Sequence, residues 1–145
     1  MTLEEKRMIL REIHQTILLP DYLRGRLAIV EELQKSATSL SCSHTPRVKS
    51  KRDLSDVVVK LEQIKQQLTA AEAHAVAIRT DFEMALIGST PNEYKVMTMR
   101  YIEGAKLNDI AEKLMYSLRN VQRIEQRAVE RIDLEWYKGT KKVLE

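Results

Sequence analysis

One cysteine, three prolines and four glycines are all that the 145-residue chain contains of the residues that staple or turn a backbone. A lone thiol, Cys42, cannot close a disulfide within the chain, which fits a cytosolic protein. So few turn formers cannot serve a strand-rich fold, which reverses direction about every 8–12 residues. No stretch approaches the ~18 consecutive apolar residues of a membrane span. The N-terminus, Met1-Thr2-Leu3-Glu4-Glu5-Lys6, places acids where a signal peptide needs a basic start and an apolar run. Aromatics are 5% of the chain. What is present is 43% apolar residues, 31% charged residues and a net charge of +3 from 24 bases and 21 acids. That is enough apolar material for a core. The charge is too mild to argue for a nucleic-acid partner by its total, so its placement must decide. The expectation is an all-α, cytoplasmic protein without a membrane partner.

Residues 1 to about 37 repeat apolar positions at helical spacing, first Leu3, Leu10, Ile13 and Ile17, then Leu23, Leu27, Val30 and Leu33. Pro20 stands between the two sets and predicts a kink or short break, since proline removes an interior hydrogen bond. Residues 38–52, TSLSCSHTPRVKSKR, lose the period and read as a loop. Its bases, Arg47, Lys49, Lys51 and Arg52, have no acid among them. They suit either a phosphate-touching arm or a solvated loop. Residues 53–87 then carry a heptad seam of Leu54, Val57, Leu61, Ile64, Leu68, Ala71, Ala75, Ile78, Phe82 and Ala85, with no Gly or Pro to interrupt it. A helix with such a seam needs a partner. The N-terminal helices can fold back on it as a hairpin, or a second copy can pair with it as a homodimer through residues 54–85. Gly88 to Glu93 ends this region and sets a domain boundary, 1–87 against 88–145. Thr90, Pro91 and Glu93 there have the order of a capping box with proline at the first helical position.

Three short helices are expected next: Pro91 to Ile102, stopped by Gly104; Leu107 to Leu114; and one that starts after Ser117 as N-cap. The second and third have the spacing of a helix-turn-helix. Ile110, Ala111 and Leu114 form one inward face, and Val121, Ile124 and Ala128 form the other. Met115 stands where such turns prefer glycine, so it is expected to accept a positive φ. The outward face of the third helix has Arg119, Arg123, Arg127 and Arg131 at every fourth position, with Asn120, Gln122 and Gln126 between them. Arginine reads guanine edges and Asn or Gln reads adenine, so this is the chemistry of major-groove readout. Arg119, Asn120, Gln122 and Arg123 are the expected base readers. Ser117 at the helix N-terminus, with Gln126, Arg127 and Arg131, is expected to meet phosphates. Glu125 and Glu130 are the acids that could instead neutralise these arginines in a plain surface helix.

The run MRYIEGAKLNDIAEKLMYSLRNVQRIEQRAVERI resembles region 4 of sigma-70-type transcription factors, most closely in NVQRIEQRAVERI. The resemblance covers about residues 91–135. With the LQKSATSLS segment and the long helix added, the whole chain is similar to the ArpU-like and RinA-like phage regulators of Gram-positive bacteria. This implies a phage or prophage transcriptional regulator. By the same resemblance, Leu118, Arg119, Gln122 and Arg123 occupy the positions that read the −35 promoter element, and Arg127 a phosphate-facing one. Leu118 replaces a usual basic residue and Arg119 a usual acid, which implies a different target sequence. The regions by which sigma factors hold RNA polymerase have no visible counterpart.

His14, His44 and His74 are scattered, and Cys42 with His44 supplies two ligands without partners, so neither metal nor cofactor is expected. No catalytic grouping is visible, and an enzyme is not expected. Trp136 and Tyr137 are expected to cover the base of the domain. Two other roles fit the same elements: a phage terminase small subunit that marks DNA for packaging, and a module that binds RNA polymerase through its seam with DNA contact secondary.

Overall fold

The computed structural model of the chain describes residues 1–41 and 51–144, with the side chains of 1–36 and 55–142. The described residues form six helices and no strands: α1 (Leu3–Ser41), α2 (Lys51–Ala85), α3 (Pro91–Tyr101), α4 (Leu107–Leu114), α5 (Leu118–Arg131) and α6 (Glu135–Leu144). The protein is all-α and ends in a helix-turn-helix domain, as the sequence implied. Two compact units emerge, one of Met1–Ile17 with Val76–Glu145, the other of Leu18–Ala75. The unit that holds the helix-turn-helix therefore takes in the start of α1 and the end of α2, whereas the sequence suggested a division at residue 88.

α1 is one helix through Pro20, with no break there. Proline's φ of about −65° is itself helical, so what is lost is one backbone hydrogen bond, and helical residues on both sides carry the conformation across the gap. The boundary between the two units lies between Ile17 and Leu18, inside the turn that this proline weakens. Both ends of the expected loop at 38–52 are helical, because α1 runs to Ser41 and α2 starts at Lys51. Cys42, His44, Arg47 and Lys49 lie outside the described residues, as does the proposed role of that basic segment.

In the unit Leu18–Ala75, Leu61, Ile64, Ala71 and Ala75 of the seam are buried, and so is Leu23 of α1. Arg24 of α1 reaches Glu72 of α2 at 2.8 Å and Asp21 at 2.6 Å. In the other unit Ile78 and Phe82 continue the seam into a core with Leu10 and Ile13 of α1. In this second unit α1 therefore covers the seam residues Ile78 and Phe82.

That larger core also takes Leu86, Met97, Tyr101, Ala128, Val129 and Leu134, with Phe82 set edge-on to Tyr101 at 6.4 Å between ring centres. A smaller core of Val96, Ile110, Ala111 and Val121 joins α3, α4 and α5, with Leu114 and Ile124 against it. α6 is an element the sequence reading did not include. It brings Tyr137 into the larger core beside Trp136, as expected of those two rings, and their planes meet edge-on at 5.8 Å.

Candidate nucleic-acid interface

The helix-turn-helix starts from a well-capped α3. Thr90 Oγ1 accepts from Glu93 N–H at 3.3 Å, and Glu93 Oε2 accepts from Thr90 N–H at 3.4 Å. Pro91 takes the first helical position. Each bond satisfies an amide that the helix start leaves unpaired. α3 ends at Ile102, and Gly104 turns the chain with φ +75°. α4 ends on Met115 at φ 57°, ψ 38°, the left-handed conformation anticipated for this non-glycine turn. Tyr116 N–H then donates back to Ala111 O at 3.0 Å, the closure by which helices end on a left-handed residue. Ser117 caps α5 by accepting from Asn120 N–H at 3.2 Å.

α5 is held from behind along its whole length. Val121 enters the small core, while Ala128 and Val129 enter the larger one. α1 adds two caps that the sequence did not announce. Lys6 Nζ donates to Glu130 O and Ile132 O, both at 2.8 Å, at the C-terminal end of α5. His14 Nδ1 lies 2.7 Å from Tyr101 O at the end of α3, and since a carbonyl only accepts, that nitrogen carries the proton. A donor at a helix C-terminus answers unpaired carbonyls, and the Lys6 ammonium answers the helix dipole as well.

The front of α5 is left to solvent. Leu118, Arg119, Asn120, Gln122, Arg123, Gln126 and Arg127 are all exposed. Among the described residues Arg119, Arg123 and Arg127 have no acidic partner. Glu125, one acid that could have neutralised them, is buried instead. Its Oε1 accepts from Tyr101 Oη at 2.8 Å and its Oε2 lies 3.5 Å from Arg7. Glu130, the other, accepts from Gln126 Nε2 at 3.1 Å. Burial, then the Glu125 charge and hydrogen bond, push the Tyr101 hydroxyl well above its ordinary value, so it stays a donor.

Arg131 departs from the pattern of its three neighbours. Its Nη1 is 3.2 Å from Oε1 of Glu93, a carboxylate only 4% exposed. The reason is helix arithmetic. Steps of four residues overshoot a full turn by about 40°, so the fourth arginine of the series has rotated about 120° from the first. It has left the front of α5 and reached the cap of α3. The sequence reading saw Glu93 only as a capping residue and missed this second duty. It also missed Lys6, His14 and Arg7 as partners of the domain, since separations of roughly 90 to 130 residues leave no local signal. α6 had a signal: Glu135 N–H is accepted by Asp133 Oδ1 at 3.0 Å, with Glu135 in the first turn and Lys141 and Lys142 in the last.

No helix of the described residues is long and apolar enough to cross a membrane. Nor do those residues group three or more His, Cys, Asp or Glu side chains where a metal could be held. A helix packed from behind and capped at both ends, with arginines in front that have no acidic partner among the described residues and a left-handed turn before it, is the second helix of a helix-turn-helix, as in a DNA-binding domain. Residues 90–133 match the family Sigma-70, region 4, a span that takes in α3, α4 and α5. No curated protein and no solved structure matches the chain significantly.

Proposed function

We propose that the chain is a sequence-specific, duplex DNA-binding transcriptional regulator of phage or prophage type, which acts in the cytoplasm by binding rather than by catalysis. The observation that carries the reading is the front of α5, where Arg119, Arg123 and Arg127 stand exposed without acidic partners among the described residues. Arg119, Asn120, Gln122 and Arg123 read base edges from the major groove, with Leu118 in apolar contact. Ser117, Gln126 and Arg127 hold the flanking phosphates. Arg131 contributes through Glu93 and the start of α3 as well as through its exposed charge. The phage assignment draws on the likeness of the whole chain to the ArpU-like and RinA-like regulators. One helix-turn-helix offers limited contact, so we infer that two copies act together as a homodimer, with the heptad seam of residues 54–85 as the proposed pairing region. RNA polymerase is the proposed second partner, by analogy with the sigma-like domain.

The test is selection of bound duplexes from a random DNA library, read by sequencing. An enriched inverted repeat is expected. No enrichment, with binding that collapses in modest salt, would overturn sequence-specific readout and leave phosphate contacts alone. Light scattering on the same protein separates the packaging role, since a ring of about eight or more chains belongs to a terminase small subunit and not to a dimeric regulator.

A further inference from the structure

A cleft of about 690 Å³ opens along one flank of α5, between that helix, the N-terminal third of α1 and the end of α3. Its floor holds the Tyr101–Glu125 pair, and Arg7 answers the Glu125 charge at 3.5 Å. Its walls carry Arg11 and Gln15 from α1, Arg100 from α3, and Gln122 and Gln126 from α5. Once Glu125 is set against Arg7, two positive charges are left over. Arg11 is exposed and has no ion pair among the described residues. Arg100 spends one N–H on Ala105 O at 3.3 Å, a neutral partner, and keeps its charge uncompensated. Nothing in the fold requires two unanswered guanidinium groups and three amides to converge here.

We propose that this cleft seats a phosphate of the DNA backbone, so that α1 forms part of the DNA interface beside the reading helix. The proposal rests on the DNA-binding reading of α5 and extends it to residues more than 100 positions away in sequence. A helix with its side chains is about 10–12 Å across and the major groove about 12 Å wide, so whatever flanks a helix lying in that groove meets the phosphate wall. Gln122 and Gln126 are the flank of α5 that faces the cleft, and Arg123 is next to them on the front of the helix. A phosphate at the groove edge takes charge from Arg11 and Arg100, and hydrogen bonds from the amides of Gln15 and Gln126. Planar guanidinium groups suit that oxygen geometry.

The test uses the full chain and the duplex recovered by selection, with fluorescence anisotropy over a series of KCl concentrations. Arg11→Ala is expected to raise Kd about fivefold on preferred and unrelated duplexes alike, and to make the log–log salt slope shallower by about 0.9. Arg11→Lys keeps most of the slope. Because Arg11 is exposed and unpaired, circular dichroism should show the fold intact. If Arg11→Ala stays within twofold of the parent with the same slope, while Arg123→Ala loses specificity, α1 is off the DNA and the proposal falls alone. If the parent binds no duplex at any salt concentration, the DNA reading of α5 falls and takes this proposal with it. Titration calorimetry with inorganic phosphate distinguishes a free anion. Saturable phosphate binding that Arg11→Ala abolishes, with an unchanged DNA salt slope, would give the cleft to a small anion and overturn the backbone assignment.

Discussion

Replacing Gly104 with alanine should cost the protein about 2–3 kcal/mol, and the two parts of that cost can be separated. Gly104 has φ +75°, a conformation that charges an L-residue about 1–2 kcal/mol. An added Cβ would also stand 2.9 Å from Cε1 of His14, closer than such atoms are found, and 3.2 Å from Nε2, a tight contact. His14 would have to leave its place, and with it the 2.7 Å bond from Nδ1 to Tyr101 O that caps α3. A lost hydrogen bond adds about 0.5–1.5 kcal/mol. The experiment is a double-mutant cycle by urea unfolding of Gly104→Ala, His14→Ala and the pair. In the His14→Ala background there is no ring to displace, so the glycine substitution should cost only its backbone part, about 1–2 kcal/mol. The difference between backgrounds is the coupling energy. Equal costs in both would refute the clash, and a total below about 0.5 kcal/mol would refute the left-handed turn as well.

Ser117→Ala removes the acceptor of the Asn120 N–H at the start of α5 and should lose about 1 kcal/mol in urea unfolding. An unchanged midpoint would mean that the cap is not formed. Arg131→Ala leaves Glu93 buried with only Thr90 N–H as donor; because the arginine is two-thirds exposed, the expected loss is modest, about 1 kcal/mol, and smaller in 1 M salt. Stability equal to the parent's would show that the pair has no structural role. Tyr101 titrates above its ordinary value of about 10 when folded, through burial first and Glu125 second. The extra stability this gives is fully present below pH 10 and is lost as pH rises through the folded value, so the urea midpoint should hold to about pH 10 and then fall. Tyr101→Phe should start lower by about 1–2 kcal/mol and fall less steeply. Tyr137, raised by burial first and then by Glu12, supplies the remaining slope. Parallel pH profiles for parent and Tyr101→Phe would overturn the assignment.

The local parts of the site were legible because their physics is local. A capping box at Thr90–Glu93, a serine before α5 and a methionine forced to positive φ each involve residues within about five positions of one another. Period alone placed Ile110, Ala111 and Val121 in one small core. Pro20 misled, because a helix-breaking signal measures one hydrogen bond and not the cooperativity of the turns around it. The seam was read correctly as buried, with its partner left open; Leu10, Ile13 and Leu23 are the α1 residues buried with it.

Local pattern was enough to give an all-helical chain, a sigma-like helix-turn-helix and the face of α5 left exposed. Those follow from propensity, capping and a 3.6-residue period, which act over one or two turns. The tertiary structure alone decided that α1 caps α3 and α5 through His14 and Lys6, that Glu125 turns inward to Tyr101 and Arg7, and that Arg131 answers Glu93. Each of these joins groups far apart in the chain. Their partners are chosen by packing and by the need to pair buried charge, and neither leaves a mark in local pattern.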